Sequence, residues 1–496
     1  MATIHPRPVL RRRSTGSNSG SDHEAAKDIA SVDYTLDNAL PFEQFKREIL
    51  LLTHKLNIPR WRTVPVSEYS QLKVVRISGA LTNAVYCVTP PPRYLYKHHF
   101  NDTQTSLDPL SKAATKVRPI HVPEVLLRVY GPNTAQIIDR ETELAVLTRL
   151  AAKNIGPRLL GIFTNGRFEQ FLKATTLSKE DIREPDVSRA IAKRMRELHD
   201  NVKLTLDERL AGPGVWKNFK KWQVDAKQAL DLLDRVADAL EEISEPKRSH
   251  WTTKKILRTD WATFMEGARR YREWLDIQTG GASAVEDSLV FAHNDAQYGN
   301  LLRIEAPSGS PLLRPANEHR MLVVIDFEYA SPNVRGYDIS NHFCEWMSDY
   351  HHPERAQDIH SEKFPNQEEQ LRFIESYVTH GIESYDDMDK IEREIKDLHN
   401  QTMIWRPAIH LGWCMWGIIS APLPPEVTED EDGFVDVSHD ESEDLKVDAF
   451  DYFDYASQKA SLFWGEMASL SIPIPDGVDM RHAMYVGKPC QLVEQV

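Results

Sequence analysis

The pattern of hydrophobic and polar positions changes character along the chain. In the first third, short apolar runs with β-branched and aromatic residues predict five strands, at 74–78, 84–88, 125–130, 159–163 and 167–172. Within this region, residues 134–154 repeat apolar side chains every three or four positions, which predicts a helix. Residues 89–120 show weak periodicity and are interpreted as a loop or insertion. The polar stretch 1–35 is interpreted as a disordered tail.

From about residue 187 the spacing becomes mainly helical. Amphipathic helices are predicted at 187–201, over much of 215–245, and at 261–276. Residues 288–295 form an apolar run that ends in polar residues, which predicts a strand leading into a loop, and two further strands are predicted at 301–304 and 321–330. Helices then continue towards the C-terminus. A small sheet lobe with one helix, followed by a larger and mainly helical lobe, predicts an α+β, two-lobed protein-kinase-like fold, with lobes at 41–172 and 173–496.

Composition narrows the function classes. The chain has 496 residues, with 60 Lys and Arg against 74 Asp and Glu, which gives a net charge of −14. This balance argues against a nucleic-acid partner, because nucleic-acid binders usually present a basic face. Much of the charge is local, since residues 426–448 hold eleven acids and one lysine and are interpreted as a solvated acidic linker.

The same composition bears on the compartment. The four cysteines form no CxxC pair, and no apolar stretch follows the basic N-terminus as in a signal peptide. The longest apolar helical stretch, 407–421, is too short to span a bilayer. We therefore expect a cytoplasmic protein without stable membrane insertion.

One motif indicates phosphoryl transfer. His293, Asp295 and Asn300 form H-x-D-x-x-x-x-N in a predicted loop, and Asp326 follows at the end of a later apolar strand. This reaction needs one carboxylate to orient the attacking hydroxyl and accept its proton, and an amide oxygen and a second carboxylate to hold Mg²⁺. Asp295, Asn300 and Asp326 supply these groups in the order found in kinase-fold enzymes. The alternative is two unrelated acidic loops. His293 is expected to pack beneath the loop rather than to act as a base.

A kinase-like site also needs a cation near the nucleotide phosphates. Arg128 faces away from its apolar neighbours in the run VLLRVY, and a guanidinium can bind phosphate oxygens bidentately. Its acidic partner on the predicted helix would be Glu143 or Glu141, and the sequence does not choose between them. The turn 78–83 contains one glycine and small polar residues, which could cover the phosphates with backbone N–H groups.

Aromatic residues are concentrated after the strand that carries Asp326. They lie at Tyr329, Trp346, Tyr350, Trp413, Trp416, Phe450, Tyr452, Phe453 and Tyr455. Aromatic residues at helical spacing usually belong to a core. The carboxylate of Glu345, next to Trp346, favours a functional interpretation instead. A quaternary ammonium has no N–H to donate, so proteins hold it with aromatic faces and a negative charge.

Two segments resemble a known family. FAHNDAQYGNLL (291–302) and VIDFEYASPNVRGYDISNHFCEWMSDY (324–350) are similar to the two signature segments of choline/ethanolamine kinases, and most similar to the fungal type of choline kinase. The resemblance implies phosphorylation of choline to phosphocholine with ATP and Mg²⁺, which is the first step of the CDP-choline route to phosphatidylcholine. It also implies a homodimer.

The resemblance implies a role for each matching residue. Asp295 would be the catalytic base, Gln297 would help to orient the site, and Asn300 and Asp326 would bind the metal. The residues that would contact ATP are Ser78, Gly79, Leu81, Thr82, Asn83, Arg128, Glu143, Glu169, Gln170, Phe171 and Leu172. The choline pocket would consist of Tyr329, Glu345, Tyr350, Trp413, Trp416, Phe450 and Tyr455.

The alternatives differ in substrate or in class. An ethanolamine or dual-specificity kinase would favour hydrogen-bond acceptors over a full aromatic cage. An aminoglycoside phosphotransferase would share the H-x-D-x-x-x-x-N motif but would not need this density of tryptophan. A non-catalytic scaffold should have lost Asp295, Asn300 or Asp326, and all three are present.

Overall fold

The computed structural model describes most of the chain. The described residues are 29–77, 83–94, 121–130, 146–150, 153, 155–242, 251–306, 309–382, 387–423, 428–429, 435–436 and 450–486. Several predicted features lie wholly or largely outside them, namely the tail up to residue 28, the turn 78–82, most of the helix at 134–154 and most of the acidic linker. Glu141 and Glu143 are among the residues not described.

A six-stranded sheet forms the N-terminal part, with its strands in the order β1-β5-β6-β4-β3-β2. The strands are β1 Ser31–Val32, β2 Lys73–Ile77, β3 Asn83–Thr89, β4 Val125–Tyr130, β5 Leu159–Phe163 and β6 Gly166–Gln170. The five predicted strands are confirmed, whereas β1 and the helix α1 (Phe42–Lys55) were not predicted. Helix α1 and the sheet share a hydrophobic cluster that includes Phe45, Leu127 and Phe168.

The chain leaves this sheet after Gln170 and enters a second, three-stranded sheet. There β7 (Ala174–Thr176) pairs with β9 (Leu301–Ile304), and β9 pairs with β10 (Leu322–Val324). The residues between β6 and β7 therefore connect the two sheets.

The C-terminal part is mainly helical and has its own hydrophobic cluster, which includes Leu150 from the helical stretch 146–150. Its first helices are α2 Pro185–Asn201, α3 Leu206–Leu210, α4 Gly214–Glu242, α5 Thr253–Leu257, α6 Trp261–Gln278 and α7 Ala282–Asp287. The later helices are α8 Arg335–Glu345, α9 Gln367–Thr379, α10 Met388–Ser420 and α11 Tyr452–Ser469. The short strands β12 Thr428–Glu429 and β13 Val435–Asp436 pair with each other. The three predicted amphipathic helices and the α+β architecture are confirmed.

The predicted strand at 321–330 is wrong in its length. Strand β10 ends at Val324, and Asp326 has a left-handed backbone with φ of 64°. A continuous strand cannot contain this conformation, so the chain turns and resumes as β11 (Ser331–Val334). Strand β11 pairs antiparallel with β8 (Leu289–Ala292). The loop that follows β8 confirms the prediction for 288–295 of a strand that leads into a polar loop. The apolar pattern did not reveal this turn because Phe327 is buried although it lies outside a strand.

Close packing of α10 against α11 brings the aromatic residues of the two helices together. A side chain at Gly417 would meet Ala456, the Tyr452 carbonyl and Tyr455 at 3.1–3.2 Å. Glycine at this position therefore allows the helices to approach, and it lies next to Trp416.

Candidate active site

The motif loop begins where β8 ends, and Asn294 holds it against the neighbouring strand. Asn294 has a left-handed backbone with φ of 64°. Its side-chain Nδ2 donates to the Tyr329 carbonyl at 2.9 Å and to Ser331 Oγ at 2.8 Å, and its Oδ1 accepts from Asn333 Nδ2 at 2.7 Å. An uncommon backbone conformation is thus fixed by three side-chain hydrogen bonds, and the next residue, Asp295, lines a cavity.

A second support of the loop, Asp338 on α8, was not identified from the sequence. Its carboxylate accepts the backbone N–H groups of His293 at 2.9 Å and Asn294 at 2.7 Å. His199 Nε2 lies 2.9 Å from the same carboxylate, and His199 Nδ1 lies 2.7 Å from the Tyr377 hydroxyl. Burial alone would raise the pKa of Asp338, but His199 and the backbone N–H groups outweigh it and lower that pKa. Helix α8 carries several other polar residues, so its sequence offered no distinct signal for Asp338.

His293 lies beneath the loop, as expected. It is fully buried, its Nδ1 accepts the backbone N–H of Asp295 at 3.2 Å, and its Nε2 lies 3.0 Å from the Ile325 carbonyl. Its ring packs against Phe327 with the centroids 4.9 Å apart. Both ring nitrogens are therefore engaged with the backbone.

Asp295 and Asn300 are directly linked. Asn300 Nδ2 donates to both the backbone carbonyl and Oδ2 of Asp295, each at 2.9 Å. This leaves the Asn300 amide oxygen free of that contact and oriented away from Asp295. Burial, together with the nearby carboxylates of Glu345, Asp326 and Glu328, raises the pKa of Asp295 well above its usual range. A cation among these carboxylates would therefore favour the ionised form of Asp295.

Asp326 pairs with Arg128 across the two parts of the chain. Arg128 Nη1 lies 3.1 Å from Asp326 Oδ2 and 3.4 Å from Oδ1. Burial alone would raise the pKa of Asp326, but Arg128 and Arg167 outweigh it and lower that pKa. Arg128 lies on β4 between Val85 of β3 and Arg167 of β6. The expected phosphate-binding arginine thus reaches the expected metal-binding carboxylate.

One cavity, partly open to solvent, contains most of the predicted site. Its lining residues are Arg128, Asp295, Gln297, Asn300, Asp326, Glu328, Tyr329, Glu345, Tyr350, Trp413, Trp416, Phe450 and Tyr455. Every predicted catalytic, metal-binding and choline-binding residue is in this set. Glu328 was not predicted, although it lies between Asp326 and Tyr329 in the sequence.

The aromatic residues of the cavity contact one another in a continuous series. Trp413 meets Tyr329 and Trp416 edge to face, with centroids 5.3 and 5.5 Å apart. The series continues through Tyr455 to Phe450 and Tyr350, with neighbouring centroids 5.4–6.4 Å apart. Trp416 Nε1 donates to the Tyr329 hydroxyl at 2.9 Å. The rings are therefore held in fixed orientations along the cavity wall.

Glu345 supplies a negative charge at the aromatic end of the cavity. It is 1% exposed, and the Tyr350 hydroxyl donates to its Oε2 at 2.7 Å. Burial raises the pKa of Glu345, and the charge of Lys459 and the Tyr350 hydrogen bond oppose that rise. Trp346 does not join the cavity, contrary to its grouping with the pocket aromatics. It is buried in the core and its Nε1 faces His342 Nε2 at 3.3 Å.

The residues predicted to contact ATP are only partly described. Ser78, Gly79, Leu81, Thr82 and Glu143 lie outside the described residues, and Asn83 begins β3. At the end of β6, Glu169 contacts Arg167, and Gln170 Oε1 accepts from Arg158 Nε at 3.1 Å. The connection between the sheets begins after these two residues.

Phe171 and Leu172 follow as half-buried residues of the same connection. A smaller cleft next to it is lined by Leu147, Ile155, Gly156, Pro157, Leu159, Arg167, Glu169, Asp326 and Phe327. Asp326 thus lines both the main cavity and this cleft.

The donor set around Asp326 fits a hard divalent cation. The cavity presents the carboxylates of Asp295, Asp326 and Glu328 and the amide oxygen of Asn300. Oxygen donors of this kind are those that Mg²⁺ prefers. Burial and, after it, the neighbouring carboxylates raise the pKa of Asp295, and such an ion would relieve the repulsion between these carboxylates.

Comparison with known proteins agrees with this geometry. The family model for choline/ethanolamine kinase matches residues 74–464, and a model for the choline kinase N terminus matches residues 18–67. A choline kinase of Saccharomyces cerevisiae is 33% identical over 91% of this chain and 81% of its own length. An ethanolamine kinase of the same yeast is 30% identical over 92% of this chain and 83% of its own length.

A crystal structure of choline kinase from Cryptosporidium parvum has the same fold. It superimposes with a TM-score of 0.55 at 20% sequence identity, and the match covers 86% of this chain and 97% of that chain. The predicted protein-kinase-like fold is thereby confirmed. Together with the family match over most of the sequence, this shows that the chain belongs to the choline/ethanolamine kinase family.

Proposed function

We propose that this protein is a choline kinase, which transfers the γ-phosphoryl group of ATP to the hydroxyl of choline. One observation carries the proposal. A single cavity contains both the carboxylate of Asp295 and the aromatic series that ends at Glu345. Choline has the matching chemistry at its two ends, a hydroxyl for Asp295 and a quaternary ammonium for the aromatic faces and the buried carboxylate.

The side chains of the cavity have separate roles in the reaction. The faces of Trp413, Trp416 and Tyr455 would hold the ammonium group by cation–π attraction, and Glu345 would balance its charge. The hydroxyl would then point towards Asp295, which orients it and accepts its proton. Asn300 keeps the Asp295 carboxylate in place through the 2.9 Å hydrogen bond.

Arg128 supplies a positive charge on the phosphate side of the cavity. Arg128 is positioned to bind phosphate oxygens by releasing its contact with Asp326. Asp326 and Asn300 would hold Mg²⁺, which neutralises charge on the nucleotide phosphates when bound. Nucleotide binding would replace the Arg128–Asp326 ion pair by one contact between Arg128 and phosphate and another between Asp326 and Mg²⁺. This exchange would couple nucleotide binding to assembly of the site.

Ethanolamine is the second candidate substrate, because a relative named as an ethanolamine kinase is almost as similar as the choline kinase. Within the described part of the cavity, Glu345 is the carboxylate placed among the aromatic rings. A primary ammonium would have three N–H groups to satisfy there, whereas a quaternary ammonium has none. The cavity therefore favours choline.

A side-by-side assay of ATP consumption tests the proposal. Wild-type protein with Mg²⁺ is given choline, ethanolamine or an aminoglycoside, and choline is expected to give the highest kcat/KM. Stimulation by the aminoglycoside but not by choline would overturn the proposal. Asp295→Asn is expected to lower kcat by about 10²–10⁴-fold, because it removes the proton acceptor without changing the side-chain volume. A thermal melt checks that this variant is folded.

Further parts of the proposal rest on family resemblance. Residues 41–172 are taken as the ATP-binding lobe and 173–496 as the catalytic and choline-binding lobe. The two hydrophobic clusters support this division, except that Val146 and Leu150 pack in the second cluster. A homodimer is also proposed, and light scattering in solution checks it.

Among the described residues, no helix is both long and apolar enough to cross a bilayer. We propose cytoplasmic action in phosphatidylcholine biosynthesis, which localisation of the tagged protein and labelling with choline would check.

A further inference from the structure

Three potential metal ligands converge at a point outside the substrate cavity. Glu197 lies on α2, His319 lies in the 3₁₀ turn Pro315–Met321 before β10, and His380 directly follows α9. Nε2 of His319 lies 3.0 Å from Oε1 of Glu197, and Nε2 of His380 lies 3.3 Å from the same oxygen. One ligand atom from each residue lies within 4.8 Å of the other two.

We infer that Glu197, His319 and His380 form a binding site for a divalent cation of the zinc type. Bonds of about 2.0–2.2 Å in a tetrahedral zinc site place neighbouring ligand atoms roughly 3.4 Å apart, close to two of the separations found here. Two imidazoles and one carboxylate are a common ligand set for zinc, whereas Mg²⁺ prefers oxygen ligands. The site therefore differs in chemistry from the one at Asn300 and Asp326.

The surroundings leave room for a fourth ligand. The side chains of Glu197 and His380 are 19% and 22% exposed, so an ion and a water molecule can reach the cluster. His319 is more deeply buried at 7%. Arg194 contacts Oε2 of Glu197, the carboxylate oxygen that does not face the histidines. This contact orients the carboxylate, and its positive charge weakens the binding of a cation.

The cluster is connected to the support of the motif loop. Glu197 lies two residues before His199 on α2, and His380 lies three residues after Tyr377. His199 contacts both Tyr377 and Asp338, which in turn holds the loop. A bound ion would tie together the elements that carry these residues. Zinc is therefore expected to stabilise the fold, in addition to any role of Mg²⁺ in the reaction.

Zinc binding by the chelator-treated, full-length protein tests the inference. Bound Zn²⁺ is measured by equilibrium dialysis for the wild type, His319→Gln and His380→Gln. Glutamine keeps an amide donor for Glu197 but removes the imidazole ligand, so each variant is expected to lose about tenfold or more in affinity. The Tm should rise with zinc in the wild type, and it should rise much less in the two variants. His360→Gln, at a half-buried histidine near Glu362, is the matched control and should bind like the wild type.

The opposite results are equally distinct. If the wild type binds no zinc at micromolar concentrations, or if both variants bind as tightly as the control, the cluster is only a hydrogen-bonded triad and the inference is wrong. Should the histidine variants fail to fold, Arg194→Gln decides. It removes a positive charge but keeps a donor to Glu197, so zinc affinity should increase severalfold, and an unchanged affinity would contradict a metal at this point.

Discussion

At the scale of single residues, two tryptophans have different roles. Trp346 follows Glu345 in the sequence, and Trp413 packs against Tyr329. Trp413 lines the cavity beside Tyr329, whereas Trp346 is buried in the core. Trp413→Leu is expected to raise the KM for choline about 5–30-fold, because loss of a desolvated cation–π contact costs about 1–2 kcal/mol. The KM for ATP should change little.

Trp346→Leu is the control for this prediction. It should lower the free energy of unfolding, because it leaves a cavity in the core, while both KM values stay near those of the wild type. Steady-state kinetics with each substrate varied in turn, and urea denaturation, separate the two variants. Equal effects of Trp413→Leu on both KM values would indicate that Trp413 is only a core residue.

Lys459 is a buried cation behind the same pocket. Its side chain is fully buried, and its Nζ has no hydrogen-bond partner among the described residues, although it lies 5.1 Å from the centre of the Tyr455 ring. Its charge opposes the rise in the pKa of Glu345 that burial causes. We infer that Lys459 keeps Glu345 ionised when choline binds.

The substitution Lys459→Met tests this relation through pH. Loss of the charge should raise the pKa of Glu345 further. On acidification, the carboxylate should therefore become protonated at a higher pH than in the wild type. The KM for choline should therefore begin to rise at a higher pH in Lys459→Met than in the wild type or in Lys459→Arg. Because an ammonium without partners is costly to bury, the Tm of Lys459→Met should not fall. Superimposable profiles of KM against pH would contradict the role.

At the scale of elements, Asp338 joins helix α8 to the motif loop and to α2. Asp338→Asn replaces an acceptor of two backbone N–H groups by an amide and leaves His199 without its carboxylate. The expected loss is about 3–5 kcal/mol in the free energy of unfolding, because one member of a buried charged network is removed. A lower kcat should accompany it, since the loop that carries Asp295 loses a support.

The pH dependence of stability gives a second measurement of the same change. The pKa of Asp338 is lowered in the folded protein, so its contribution is fully present above the unfolded pKa of about 4 and is lost as the pH falls below it. Urea denaturation between pH 3 and 7 should show a smaller acid-induced loss in Asp338→Asn. Asp200→Asn, in an exposed pair with Arg196 on α2, should cost less than 1 kcal/mol. Similar curves for the wild type and Asp338→Asn would contradict this prediction.

The elements that the sequence predicted well are those with a regular period. Strands such as Val125–Tyr130 and helices such as Pro185–Asn201 follow directly from apolar spacing. The turn at Asp326 could not be predicted from this spacing, because its left-handed backbone interrupts an apolar run that contains no glycine or proline. Asp338 was missed for a related reason, since its role depends on hydrogen bonds to a loop 44–45 residues away in the chain. Spacing reports which face a residue occupies, not its distant partners.

At the scale of the whole molecule, the ion pair between Arg128 and Asp326 joins the regions of the two hydrophobic clusters at the active site. Arg128 belongs to the sheet of the first cluster, and Asp326 follows a strand that packs in the second. Predicted residues from distant parts of the sequence therefore converge because the lobes pack together. The sequence motifs identified the residue types, and the fold brings them into one cavity.

The overall charge is a further property of the whole molecule, and it could attract a cationic substrate over a long range. The cavity suggests instead that selection is local, because Glu345 is 1% exposed and a buried charge is only weakly screened by salt. A tenfold increase in ionic strength should then change the KM for choline by less than about twofold. The KM for choline should also stay unchanged in a variant that lacks four charges of the acidic linker. This variant carries the corresponding amides in place of Asp440, Glu441, Glu443 and Asp444. A KM that rises steeply with salt, and that rises again in this variant, would show that the long-range field recruits the substrate.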